Sequence, residues 1–389
     1  MSEWKKVKLG DYCEITSSKR CLASVRSKNG IPFFCSKEII CLDKGEDFEP
    51  TDFIPEELYN DIKAKYGVPT SGDLLLTTRG TNGIPYIYKP SDKFYFADGN
   101  LSWFKNFGKE LSPQYLYYWF KSPLGIHEVD AISKGTAQKA VPIDGLRRIV
   151  LLTPSLHTQN RIVVILSRYD SLIENYQKQI KLLEEAAQRL YKEWFIDLRF
   201  PGHENTKIVD GLPEGWEVKS IIDVYNFKYG KILPTKDFVK DGAIPVYGAS
   251  KQIGRYSKAN CFEPKVLIGS RGNAGFVHRT IEDETYVTNN SFIVEPQKEF
   301  KHLRLPFIYE SLKAIDFVAI CTGAAQPQLT LNSIASLKYI IPSDRIITNY
   351  CDVSVLFFKK IAMSYKQIRL LTEARDRLLP KLMSGEIEV

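Results

Sequence analysis

No stretch of this 389-residue chain is apolar enough to cross a bilayer: its longest apolar runs, such as Ile162 to Leu166, fall far short of the roughly 20 residues required. The opening Met-Ser-Glu-Trp-Lys-Lys lacks the apolar core of a secretory leader, so a cytoplasmic location with no membrane partner is expected. The seven cysteines (Cys13, Cys21, Cys35, Cys41, Cys261, Cys321 and Cys351) are odd in number and contain no Cys-x-x-Cys pair. They predict reduced core thiols, not a disulfide framework or a zinc knuckle. The five histidines are scattered with no metal-ligand spacing, so no metal site is expected. Neither a Gly-x-x-x-x-Gly-Lys-[Ser/Thr] loop nor a Gly-x-Gly-x-x-Gly turn occurs, and no Asn-Pro-Pro-Tyr-like methyltransferase motif appears. No catalytic residue and no bound cofactor are therefore expected in this chain. The run Glu282-Asp283-Glu284 reads as a solvated loop.

Charge of one sign is only slightly in excess. Lys+Arg 53 against Asp+Glu 46 leaves a net +7, which permits a polyanionic partner without requiring one. With 44% hydrophobic and 25% charged residues, the composition is that of a globular protein whose length suits two or three domains.

Internal repetition is more informative. Trp4, Leu9 and Asp11 recur as Trp216, Ile221 and Asp223 at an offset of 212, and Ile31-Pro32 recurs as Ile244-Pro245 at 213. Arg79-Gly80 with Gly83 recurs as Arg271-Gly272 with Gly275 at 192; Gly135, Gln138 and Pro154 recur as Gly323, Gln326 and Pro342 at 188. The last offset persists through Gln179–Leu190, which matches Gln367–Leu378 at eight of twelve positions. The chain thus reads as two copies of one unit. Its front varies in length, with an insert in the first copy before Arg79, whereas its back keeps one length.

The back carries a heptad seam. Leu166, Tyr169, Ile173, Tyr176, Ile180, Leu183, Ala187, Leu190 and Trp194 are spaced 3 or 4 apart with charged and amide residues between them. The second copy repeats it as Phe357, Ile361, Ser364, Ile368, Leu371, Arg375, Leu378 and Leu382. No Gly or Pro lies between Gln159 and Phe200 or between Asp344 and Leu379, which predicts two helices of roughly 35–40 residues, about 55 Å long at 1.5 Å per residue. Each seam needs a partner, and the other copy is the nearest.

The fronts read as mixed strand and loop. Strands are expected at Asp73–Thr78, Phe94–Phe96, Ser102–Phe104, Lys265–Ser270 and Ser291–Val294, with helices at Pro55 to Lys65 and Pro113 to Lys121. Two polar turns recur in both fronts. Arg79-Gly80-Thr81-Asn82-Gly83 and Arg271-Gly272-Asn273-Ala274-Gly275 set an Arg and an Asn between glycines, where backbone can approach a partner closely. Arg suits guanine and Asn suits adenine, either can hold a phosphate, and a purely structural turn is the alternative. The second turn places Lys134, Gln138 and Lys139 in one copy, and Gln326 and Gln328 in the other. Lys19, Arg20, Lys251, Gln252 and Arg255 complete the candidate DNA-contacting set. Two such fronts on a rigid spacer make a caliper suited to equivalent faces of a duplex, which recur every 34–36 Å or so.

At this point the sequence resembles the specificity subunits of type I restriction-modification systems. The resemblance spans essentially the whole chain. It rests on the duplicated unit, on Trp4-x-x-Val-x-Leu-Gly-Asp11, on Gly135-Thr-Ala-Gln138 leading to Leu151-Leu-Thr-Pro154, on Gln159-Asn-Arg-Ile162, on Leu182-Leu183-Glu184 and Leu370-Leu371-Thr372, and on the closing Leu382-Met-Ser-Gly-Glu-Ile387. It implies a mixed α+β fold: two target recognition domains in tandem (1–155 and 216–342), each followed by a long helix (156–200 and 343–389) with a linker at 201–215, the helices forming an antiparallel coiled coil. It further implies a non-catalytic subunit that reads a bipartite asymmetric sequence in double-stranded DNA and docks two methyltransferase subunits together with restriction and translocase subunits. S-adenosylmethionine, ATP and Mg would then belong to those partners. A self-contained two-lobed DNA-cleaving enzyme and a coiled-coil scaffold without a nucleic-acid role are the alternatives. Two departures stand out: Arg375 and Ser364 occupy seam positions, and Gln159 has no counterpart near Ile347-Thr348-Asn349.

Overall fold

The computed structural model describes residues 4–135, 139–323 and 326–389. It divides into two units, one made of Met1–Glu174 with Arg369–Val389 and the other of Asn175–Ile368. The division falls inside both long helices, Leu156–Tyr191 and Asp344–Ser384, so each unit holds one of the two repeated fronts and a piece of each helix.

In unit 1 the strand Leu74–Thr77, an unbroken Leu-Leu-Leu-Thr run, is buried along its whole length because it lies inside a four-stranded antiparallel sheet. Leu101–Lys105 and Pro85–Ile87 flank it, and Glu14–Thr16 extends the far edge. A smaller sheet sets Ile31–Phe34 between Phe53–Ile54 and Tyr95–Phe96. Lys5–Lys8 pairs with Val150–Thr153, which delivers the chain into the first long helix. The insert seen in the first copy holds two helices, Ser36–Lys44 and Glu56–Tyr66. The helix Pro113–Lys121 has the bounds expected from the sequence; the Ser112 hydroxyl caps the Tyr115 amide and Pro113 supplies a preset φ.

Unit 2 repeats this plan. Val266–Gly269 pairs with Ser291–Pro296 and Val277–Arg279, and Tyr225–Tyr229 takes the edge. A three-stranded sheet joins Gln252–Tyr256, Ile244–Tyr247 and Tyr286–Val287, and Glu217–Ser220 pairs with Lys338–Ile341. Where unit 1 has its two inserted helices, unit 2 turns directly from Tyr247 into the strand Gln252–Tyr256.

The helices run antiparallel within each unit. In unit 1 Asp170 meets Arg375, while the earlier Ile162 and Leu166 share a core with the later Leu379, Leu382 and Met383. In unit 2 Ala187 shares a core with Phe358, and Trp194 meets Tyr350 at 5.9 Å between ring centres. Seam residues Leu166, Ile180, Ile361 and Leu382 are buried, and Tyr169, Ile173, Tyr176, Leu183, Leu190, Phe357, Ile368, Leu371 and Leu378 are partly buried. The seam position Ser364 is buried too, its hydroxyl donating to the Lys360 carbonyl one turn back. The first helix ends earlier than its lack of Gly and Pro predicts, in a π-helical turn at Lys192–Ile196. There Trp194 and Phe195 turn into the aromatic core of unit 2, and this packing outweighs regular hydrogen bonding. The second helix continues through Pro380 because Leu379, Leu382 and Met383 on either side are anchored in the core. All seven cysteines are free, and Cys13, Cys21, Cys261 and Cys351 are buried. Among the described residues no helix is long and apolar enough to cross a membrane.

Candidate nucleic-acid interface

The two recurring turns, more than 50 residues apart in sequence, meet on the surface of each unit. In unit 1 the backbone of Arg79 bridges to Ala140, which also pairs with Lys134, both amides donating at 2.9 Å. Val141 donates to the Thr78 carbonyl at 2.9 Å and Thr78 donates to Asn100 at 2.8 Å. The same crossing recurs in unit 2: Arg271 bridges to Gln328, which pairs with Thr322 at 2.8 Å. Leu329 donates to Ser270 at 3.0 Å, and Ser270 donates to Asn290 at 2.7 Å. Three strands of backbone thus lock each Arg-bearing turn, and the side chains of Arg79 and Arg271 stand exposed.

Glycine makes these turns possible. Gly80 and Gly83 have φ of 82° and 81°, and Gly272 and Gly275 have 81° and 84°, a region costly for residues with a Cβ. A Cβ on Gly275 would also lie 2.7 Å from the Val318 amide nitrogen.

Around this crossing the candidate residues differ in how free they are. Asn82 donates its amide to the Lys139 carbonyl at 3.1 Å, and the Thr81 carbonyl accepts from Thr77, so both serve the turn itself. Asn273 donates to the Ser250 hydroxyl at 2.7 Å. Lys139 is exposed, 3.9 Å from Asp130; Lys134, Lys251, Gln252 and Gln326 are exposed, and Gln328 is half-buried. Gln252 also donates to the Gly254 carbonyl at 3.3 Å. Arg255 is occupied: its guanidinium donates to the carbonyls of Gly242 and Ala243, bracing the strand connection within its own sheet. Gln138 lies outside the described residues. Lys19 donates its backbone amide to the Tyr95 hydroxyl, and Arg20 stands 3.8 Å from Asp98 on the turn that carries Asn100.

Sequence reasoning overlooked two pairs at this rim and the second-copy partner of one candidate. The Ser36 hydroxyl contacts the carbonyls of Arg79 and Asn100, and Ser250 holds Asn273 in the other unit. Asn100 and Asn290 sit at the crossing itself. Lys231 aligns with Lys19 at the 212-residue offset, and its amide donates to the Val287 carbonyl at 3.0 Å. Behind the rim of unit 2, burial pushes the His278 imidazole down to about 4, so it is neutral at physiological pH; its ring lies against Tyr247 and Phe276.

Fold and site together define a tandem-repeat protein: two copies of a polar-rimmed α+β unit, each including a piece of both long helices. The sequence matches the family described as type I restriction modification DNA specificity domain over residues 1–185 and 213–350, and the chain belongs to that family. Among its relatives is the type I restriction enzyme MjaIX specificity subunit of Methanocaldococcus jannaschii, 27% identical over 305 residues that span 71% of this chain and 69% of that one. The type I restriction enzyme HindI specificity subunit of Haemophilus influenzae is 21% identical over the full length of both. A crystal structure of the S subunit of a type I restriction-modification system from M. genitalium shares the fold, with a TM-score of 0.60, 20% identity and coverage of 98% of this chain and 96% of that one. Membership makes this chain a specificity component, not a catalyst.

Proposed function

We propose that each unit reads one half of a split, asymmetric sequence in double-stranded DNA through its rim, and that the helix pair sets the spacing between the half-sites. The observation that carries this reading is the recurrence of one backbone crossing, at Arg79 with Ala140 and at Arg271 with Gln328, under two exposed guanidiniums with different neighbours. Repeated geometry with divergent side chains suits reading two different sequences from equivalent poses. In this reading two methyltransferase subunits dock on the helices and adjoining surfaces, and restriction and translocase subunits join them in the cytoplasm. S-adenosylmethionine, ATP and Mg act on those partners, while this chain supplies sequence choice alone.

Methylation profiling of DNA from cells expressing the chain with its methyltransferase tests the proposal. A two-part motif with a fixed gap is expected, and no preference over scrambled DNA overturns it. Arg79→Ala should relax one base position in one half-site and Arg271→Ala one in the other, each by about 1–3 kcal/mol. Uniform weakening on all sequences would make these residues phosphate anchors. Inserting one heptad into both helices should lengthen the gap; an unchanged gap removes the spacer role.

A further inference from the structure

The rims differ in chemistry at one aligned position of particular interest. The 212-residue offset sets Lys19-Arg20 opposite Lys231-Ile232. The structure anchors the two segments to equivalent neighbours through different atoms. The Ser17 hydroxyl donates to the Leu101 carbonyl at 3.2 Å, and the Gly230 amide, one aligned position further on, donates to the Ser291 carbonyl at 3.1 Å. Tyr95 accepts the Lys19 amide at 2.6 Å, and its counterpart Tyr286 donates to the Ile232 carbonyl at 3.1 Å. Lys231 is fixed further by its amide on Val287 and its carbonyl on Asn289. Asn289 and Asn290 lie in turn against Ser270 and Arg271, so Ile232 belongs to the rim.

On these aligned segments the side chains at positions 20 and 232 oppose each other in chemistry. The Arg20 side chain is 73% exposed and approaches Asp98 only through Nε at 3.8 Å; among the described residues its terminal nitrogens have no partner. Ile232 is 75% exposed, the largest value among the described large apolar residues. A lone exposed isoleucine is ordinary, but one on a backbone clamped at several points beside the reading turn presents an ordered apolar surface to whatever docks there.

The geometry points to position 20 and its equivalent 232 as the side chains that read one base pair in each half-site by opposite chemistries. Arg20 donates in bidentate fashion to guanine O6 and N7, displacing its loose contact with Asp98, and Ile232 packs on the 5-methyl group of a thymine. This inference rests on the proposed DNA-reading function and refines it to two named residues.

The experiment uses the full chain with its methyltransferase partner and compares methylation motifs of the wild type with those of Arg20→Ile, Arg20→Lys and Ile232→Arg. Arg20→Ile and Arg20→Lys should each lose about 5- to 150-fold preference for guanine at one position of one half-site. Arg20→Lys should keep general affinity, because it retains the charge but not the fork. Ile232→Arg should change the base accepted at one position of the other half-site only. In a binding assay on the wild-type motif, replacing thymines singly by deoxyuridine should cost about fourfold at one thymine with the wild type and nothing with Ile232→Ala. Unchanged motifs in the variants, or no thymine sensitive to methyl removal, overturn the assignment of Arg20 or Ile232 respectively. A wild type with no two-part motif overturns the DNA-reading proposal beneath it. Both positions are on the surface, and matching melting curves for variants and wild type separate lost reading from lost folding.

Discussion

In unit 1 the helix Pro113–Lys121 grips the long helices through charge: the Tyr118 hydroxyl donates to Asp170 at 2.6 Å, and Arg375 closes on the same carboxylate at 2.7 Å. The corresponding helix of unit 2 is Leu305–Lys313, aligned by Lys121 and Lys313, each lying over a tyrosine ring, Tyr117 or Tyr309. There Glu310 replaces Tyr118, and the 188-residue offset puts Phe358 where Asp170 stands and Ala187 where Arg375 stands. The cation comes instead from the sheet: buried Arg279 lies over Phe358 at 4.4 Å and Tyr309 at 5.4 Å, with Glu184 at 3.9 Å. One unit joins domain to helix by an ion pair and the other by a cation over aromatic faces. A helical repeat that matches at eight of twelve positions between Gln179–Leu190 and Gln367–Leu378 therefore carries a different junction in each unit, and Arg375, a misfit in a heptad pattern, is the residue that makes the first one.

The largest break in this comparison should come from Gln159. Its side chain is fully buried, accepts from the Ser112 amide at 2.9 Å and donates to the Glu110 and Pro154 carbonyls at 2.8 and 3.0 Å. Gln159→Ala leaves these groups unpaired beside a cavity and should destabilise unit 1 by about 3 kcal/mol. Hydrogen exchange resolved by segment should show the loss in residues 1–174 and 369–389; an equal loss in unit 2, where Ile347 fills the equivalent place, would contradict it.

Glu310 should give the next effect, of opposite sign. Burial pushes its carboxyl up to about 7, against the pull of Lys313 and Arg279 and with a push from Glu184. Between the ordinary carboxylate range and pH 7 the folded protein holds a proton that the unfolded chain releases, so stability falls as pH rises through that window. Glu310→Gln should therefore stabilise unit 2 by on the order of 2 kcal/mol at pH 8 and by little at pH 4.5, read by urea unfolding. A gain equal at both pH values would remove titration as the cause.

Arg375→Ala should cost about 1–2 kcal/mol, because its pair with Asp170 is only partly sheltered from water. The smallest effect should come from Lys313→Ala, at the edge of the aromatic junction whose cation is Arg279: it should cost well under about 1 kcal/mol, since the ammonium lies 5.5 Å from the Tyr309 ring centre and faces solvent. Equal costs in denaturant would mean that the Arg375–Asp170 pair holds its junction no better than a peripheral contact does.

Much of this was open to reading. The Leu74–Thr77 and Val266–Gly269 strands lie within the Asp73–Thr78 and Lys265–Ser270 runs, and the helix Pro113–Lys121 carries its own Ser-Pro start signal. The glycine-bounded turns were visible as repeated spacing. Their closure against residues 134–140 and 322–328 was not, because hydrogen bonds between segments over 50 residues apart leave no local periodicity. Arg255 looked available in sequence for the same reason: the carbonyls of Gly242 and Ala243 that occupy it belong to another turn.

By itself the sequence determined the duplication, the two long helices with their apolar stripes and the positions of the polar turns, since each depends on local spacing and propensity. Only the tertiary structure decided that unit 1 is completed by Arg369–Val389 from the far end of the chain, that Asn100 and Asn290 sit beneath the arginines, and that Tyr118 finds Asp170. Those outcomes depend on which surfaces bury each other and which polar groups are left to be satisfied there, and that is settled by packing among segments remote in sequence.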